Sequence, residues 1–146
     1  MQKNYKFRNV TKIDSVNELL DLAVKEDGKK IAFKFKVNES VKEITYKEFQ
    51  NDTIYLGTAL HSLGITNSHI AVIGENSYDW LTVYLTVLKS NSVLVPVDKE
   101  LPVQDIITVL KHSDSEVLFY TFRPALYTEK LHRHSHPQTQ KDKPTS

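Results

Sequence analysis

The chain has 146 residues, 40% hydrophobic and 25% charged, the profile of one ordinary globular domain. Nineteen basic residues against 18 acidic leave a formal charge of +1, which argues against charge-driven binding to nucleic acid or an anionic membrane. Cysteine is absent, so disulfides, thiolate metal sites and a cysteine nucleophile are excluded.

The opening MQKNYKFRNV is polar, and no stretch approaches the ~18 consecutive apolar residues of a membrane span. A soluble cytoplasmic protein is the expectation. Glycine is scarce. There are four, Gly28, Gly57, Gly64 and Gly74, where average usage of ~7% would give about ten. None follows Gly74, so the second half has no glycine to let backbone approach a phosphate.

In chain order, Ser15 is placed to cap a helix over residues 16–26, with Leu19, Leu20, Leu22 and Ala23 as its apolar stripe and Asp27-Gly28 as its stop. Ile31, Phe33, Phe35 and Val37 alternate with smaller or charged residues, the period of a half-buried strand. Asn38-Glu39-Ser40 makes a turn into a returning strand over 41–46. Thr45 and Glu48 form a capping box for the next helix, whose core face is read as Phe49, Ile54, Leu56, Ala59, Leu60 and Leu63, ending at Gly64.

A βα alternation follows: strand 69–74, helix 80–88 opened by Asn76-Ser77, strand 93–97, helix 103–111 behind Pro102, and strand 116–121. Continuously apolar strands separated by helices imply a parallel sheet covered on both faces, joined by right-handed crossovers. Pro96 favours a strand end at its position. The pattern stops near Phe122. The rest is rich in His, Pro, Gln, Lys, Thr and Ser, and reads as a disordered low-complexity tail over 123–146.

The segments ITYKEF, ALHSLGI, HIAVIGENSYDWLTVYLTVL, VLVPVDKELP and IITVLKHSDSEVLFYT, in that order over 44–121, resemble the start of the AMP-binding ligases. That family comprises acyl-CoA synthetases, adenylation domains of peptide synthetases, and luciferases. Gly64-Ile65, Asn76 with Asp79-Trp80, and the run from Val93 to Pro96 carry the likeness together, and the wording leans toward the acyl-CoA synthetase side. The resemblance implies an incomplete N-terminal part of an α/β adenylate-forming fold over 1–122. It implies a reaction in which ATP activates a carboxylic acid as an acyl-adenylate, then passes it to the thiol of CoA or a carrier protein.

Two departures stand out. The turn before V-x-V-P, where the family carries one or two glycines, is Ser90-Asn91-Ser92, which is read either as a strained turn or as relaxed selection. The phosphate-binding T-S-G-T-T-G-x-P-K-G-like loop of the family does not occur in the 146 residues. Nor can its catalytic lysine be matched, so no catalytic, cofactor-binding or metal-binding residue carries over. The chain itself is expected to bind no cofactor, although the full-length family uses ATP, Mg and CoA or a carrier thiol. Its expected partners are the remainder of a ligase or a carrier protein.

Other candidate sites read more simply. Gly74-Glu75-Asn76-Ser77 lies between a strand and a helix, where a phosphate could bind, but lacks the G-x-G-x-x-G and P-loop patterns and reads as an ordinary turn. Asp98, Lys99 and Glu100 follow a strand and read as a solvated loop rather than a functional cluster. His132, His134 and His136 could share one side of extended chain as a weak metal site, against a chance run of histidines in a tail. Tyr78, Trp80 and Tyr84 read as helix core rather than a ligand platform, and His61, His69 and His112 as surface positions. Two further readings stay open: a non-catalytic interaction module derived from this family, and an unrelated nucleotide-binding α/β domain, disfavoured by the missing glycine motifs.

Overall fold

The computed structural model describes residues 11–121. The tail over 123–146 and His132, His134 and His136 lie outside the described residues.

Helix α1, Val16–Asp27, starts where Ser15 Oγ accepts the Glu18 amide at 3.1 Å. An antiparallel hairpin follows, β1 (Ile31–Val37) and β2 (Ser40–Thr45). Its two-residue turn places Asn38 at φ 55, a left-handed value that asparagine tolerates. Helix α2, Tyr46–Ser62, opens on the expected capping box: Thr45 Oγ1 accepts the Glu48 amide and the Glu48 carboxylate accepts the Thr45 amide. The Thr45 amide, and then its hydroxyl, hold the Glu48 carboxyl below its usual range. At the far end, Gly64 (φ 76) sends its amide to His61 O and Ile65 sends its own to Leu60 O, the pairing of a left-handed helix stop.

Strands β3 (His69–Gly74), β4 (Val93–Val97) and β5 (Val117–Thr121) form a parallel sheet in the order β4-β3-β5. Helices α3 (Tyr78–Lys89) and α4 (Val103–His112) connect them. The pleat sends alternate β3 residues to opposite faces. Ile70 and Val72 join Leu60 of α2 and Val87 of α3 on one face; Ala71 and Ile73 join Val97 and Ile106 of α4 on the other. The parallel sheet covered on both faces is therefore present. The chain steps from β3 to β4, then returns past β3 to β5. Two crossovers of one hand running in opposite directions must lie on opposite faces, and α3 and α4 do. Pro96 sits inside β4, opposite Val72 of β3. Among the described residues β4 is an edge strand, the place where a proline is tolerated.

The hairpin belongs to a third cluster. Leu20, Ile44 and Phe49 are its buried residues, with Phe33, Phe35, Tyr78, Leu81 and Leu85 against them. Phe33 meets Phe49 and Tyr78 edge-on with ring centroids 4.8 and 5.4 Å apart, and Phe35 stacks on Tyr78 at 5.3 Å.

Several expectations are corrected. Ile31 and Val37 do not share the inward face of Phe33 and Phe35, and both are exposed. A register shift between Ile31 and Phe33 breaks the alternation at one end, and Val37 lies at the open turn. In α1, Leu19 is exposed, while Leu20 is buried. In α2, Ile54 and Ala59 are exposed, as is Leu63 just past its end. The inward face of α2 instead includes Gln50 and Thr53, both buried, because α1 and α3 cross it there and satisfy them. The turn Ser90-Asn91-Ser92 has no left-handed residue, so the strained reading of it does not hold. Ser90 Oγ donates to Val87 O and accepts the Ser92 amide, and the Asn91 side chain donates to Asn67 Oδ1. It is Asn67, at φ 55, that takes the left-handed backbone nearby.

Candidate functional site

Strands β3 and β4 are neighbours whose outgoing helices leave to opposite faces. In an open α/β sheet this is the place where a crevice opens beyond the carboxyl ends of the strands. A crevice of about 460 Å³ lies there, lined by Gly74, Glu75 and Asn76 after β3, by Pro96, Val97, Asp98 and Lys99 at the end of β4, and by Trp80. The two loops read separately from the sequence thus form the two rims of one cleft.

The rims are tied by charge. Lys99 Nζ lies 3.3 Å from Glu75 Oε1 across the cleft and 3.1 Å from Glu100 Oε1 on its own loop. The bond to Glu100 and then the bond to Glu75 raise the Lys99 ammonium above its ordinary range. Asp98 turns inward on its own loop, accepting the Glu100 amide at 2.9 Å. The sequence held one usable signal for the Glu75–Lys99 link: opposite charges just past two consecutive strands.

The charge around this cleft is mostly acidic. Among the described residues its one cation, Lys99, is shared between two carboxylates, and Asp98 adds a third acidic group nearby. The backbone at Gly74 is also closed off. A Cβ built there would collide with the Thr121 side chain at the end of β5, so this glycine serves a close approach of two strands. Among the described residues, no group of three or more His, Asp or Glu side chains could hold a metal ion.

The aromatic residues divide. Tyr78 is a core residue whose hydroxyl donates to Asp52 Oδ2 at 2.5 Å. Burial, and then that bond, push its phenol far above the usual range. Trp80 packs on the sheet and stacks on Tyr84 with centroids 4.9 Å apart. Both also line an apolar groove with Phe33 and Phe35. Of the three histidines, His61 and His112 are exposed as expected. His69 is not: it is half-buried, with Nδ1 2.6 Å from Ser113 O, where it tethers the start of β3 to the end of α4.

Fold and crevice together define a doubly wound α/β unit with a switch-point cleft. Residues 20–146 match the family described as AMP-binding enzyme, and the chain belongs to that family. It is 31% identical over 84 residues to the nonribosomal peptide synthetase sirP of Leptosphaeria maculans, covering 57% of this chain and 4% of that protein. It is 36% identical over 76 residues to surfactin synthase subunit 1 of Bacillus subtilis, covering 51% of this chain and 2% of that protein. Among solved structures, the anthranilate CoA ligase AuaEII in complex with anthranoyl-AMP superposes with a TM-score of 0.71 at 18% identity, over 82% of this chain and 23% of that one. The N-terminal subdomain of Klebsiella oxytoca NpsA gives 0.66 at 22% identity, over 77% and 30%. The chain thus spans a few hundredths of the synthetases and less than a third of these two solved chains. Among the described residues, no helix is long and apolar enough to cross a membrane.

Proposed function

We propose that this chain is the opening segment of an ATP-dependent acid-activating ligase and that these 146 residues alone do not catalyse. In the whole enzyme the reaction would join a carboxylate to the α-phosphate of ATP, releasing pyrophosphate. Transfer of the acyl group to the thiol of CoA or a carrier protein would follow. Such chemistry needs donors and cations preorganised around a highly charged phosphorus centre. The observation that carries the reading is the contrast between the family match over 20–146 and the phosphate loop missing from the same residues. The neutralised lysine and acidic rims of the crevice support it. The residues described here would then act as scaffold, and the partner would be a polypeptide supplying the rest of the ligase, or a carrier protein. The cytoplasm, where ATP and CoA are available, is the compartment this reading implies.

ATP–pyrophosphate exchange tests it. The purified chain with Mg and a panel of aliphatic, aryl and amino acids should give exchange no higher than the protein-free control. Acid-dependent exchange would overturn the claim of inactivity.

A second reading, a non-catalytic interaction module, has one observation in its favour. Among the described residues every buried side-chain polar atom has a hydrogen-bond partner, and three hydrophobic clusters fill the interior. Under that reading the chain unfolds in urea in one cooperative step by both fluorescence and circular dichroism. Non-coincident transitions would count against it.

A further inference from the structure

On the helical side of the molecule, away from the crevice, a groove of about 450 Å³ runs between α2 and the end of α3. Its walls include Thr53, Gly57, Thr58 and His61 of α2, with Thr86 and Lys89 of α3. Lys89 is half-buried. Its ammonium crosses to the other helix and donates to Thr53 Oγ1 at 3.2 Å. Among the described residues it has no carboxylate partner; Lys99, the other half-buried lysine, has two, and the remaining lysines without one are exposed. Asp21, on the neighbouring α1, is engaged by the Gln50 side chain at 2.7 Å. A lysine held partly out of water without a counter-charge is a place where an anion gains more than at the open surface.

The hydroxyls of the groove narrow the ligand. Thr53 Oγ1 donates to Gln50 O, Thr58 Oγ1 to Ile54 O, Thr86 Oγ1 to Thr82 O, and Ser90 Oγ to Val87 O. Every one of these protons is committed to backbone, so the hydroxyls offer an incoming group no hydrogen. Thr86 turns its methyl toward Gly57. The remaining hydrogens of the Lys89 ammonium are its main open donors, with the exposed His61 ring beside them.

Gly57 supplies the space. It lies mid-helix, where glycine costs roughly 1 kcal/mol relative to alanine. Packing does not require it: a Cβ there would meet only Thr86 Cγ2, at an ordinary 3.6 Å, and its φ is not left-handed. Its absent side chain leaves room next to the lysine.

One charged donor in a groove with Gly57 and the Thr86 methyl on its walls fits an anion borne on an apolar stem. We propose that this groove binds an aliphatic carboxylate, with Lys89 holding the carboxylate and the stem lying over Gly57 against the Thr86 methyl. The site is independent of the ligase reading, since it needs neither ATP nor the rest of an enzyme.

The test is a ¹H–¹⁵N NMR titration of the full chain with butyrate at constant ionic strength, beside parallel titrations with inorganic phosphate and with chloride. Butyrate should give saturable shifts at the amides of Thr53, Gly57, Thr58 and Lys89, and phosphate and chloride should not. Lys89→Met should weaken butyrate by at least about tenfold, and Lys89→Arg should keep most of the binding. Gly57→Leu, which fills the slot and leaves the charge, should weaken it by a similar factor, and it decides the matter if Lys89→Met does not fold. Unsaturable shifts, affinity unchanged in the folded variants, or phosphate binding as well as butyrate would each overturn the assignment.

Discussion

The parallel sheet and the hairpin bury their strands in different ways. The central strand β3 has helices over both faces, and four consecutive residues, Ile70 to Ile73, are buried. The hairpin has one covered face. On β1 only Phe33 and Phe35 of its four alternating hydrophobics turn to the core, held by the rings of Phe49 and Tyr78. A strand buried on both sides is recognisable whatever its register. A strand buried on one side depends on its pairing, and one register shift moves Ile31 into water. The two regions share α2 and α3, which contribute to the clusters under both.

The largest way to break that comparison is Ile70→Ala. The residue is 1% exposed at the middle of the sheet, and its loss should cost about 2–5 kcal/mol in urea unfolding. A loss below about 1 kcal/mol would mean that β3 is not the keystone.

Gly74→Ala comes next. The added Cβ would lie 3.1 Å from Thr121 Cβ and 3.3 Å from its backbone nitrogen, as well as against the hydroxyl. The ends of β3 and β5 must then part, at about 1–3 kcal/mol. Unchanged stability would show that the sheet end is looser than its geometry.

Tyr78→Phe probes the hairpin side. It removes the bond to Asp52 while keeping the ring stacks, and should cost about 1 kcal/mol near neutral pH. The pH dependence carries a sign. The folded phenol titrates above the unfolded one, so its contribution is present below about pH 10. Above that the unfolded chain releases the proton first, and stability falls as pH rises toward the folded value. Tyr78→Phe should remove this alkaline decline, and an equally steep decline in the variant would contradict the assignment.

The smallest effect concerns two helix ends that solve one problem with different residues. Helix α2 stops on Gly64 at φ 76; α4 stops with Asp114 at φ 49, where Ser115 donates to Leu110 O as Ile65 does to Leu60 O. Asp114→Gly should therefore stabilise by up to about 1 kcal/mol, read as a higher urea midpoint.

The legible parts of the fold were those with local causes. Ser15, Thr45 with Glu48, and Gly64 mark helix ends through bonds made within a few residues, and all three lie where their chemistry places them. Strands β3 and β4 have the boundaries their apolar runs predict. What could not be read locally was set by distant partners. Gln50 and Thr53 are buried because Asp21, Thr86 and Lys89 meet them from other helices. His69 is half-buried because Ser113, 44 residues on, comes to its ring. The crevice was half legible: each rim was recognisable as a βα turn, but their joining by Lys99 depends on β4 lying beside β3.

ATP binding by the full chain, measured by calorimetry with Mg present and no acid, tests the central claim most directly, because nucleotide binding comes before any choice of acid. A chain without the family's phosphate loop should give no heat beyond dilution. A saturable micromolar isotherm, lost on Lys99→Ala, would show that the crevice is a nucleotide site and that the reading of this chain as scaffold is wrong.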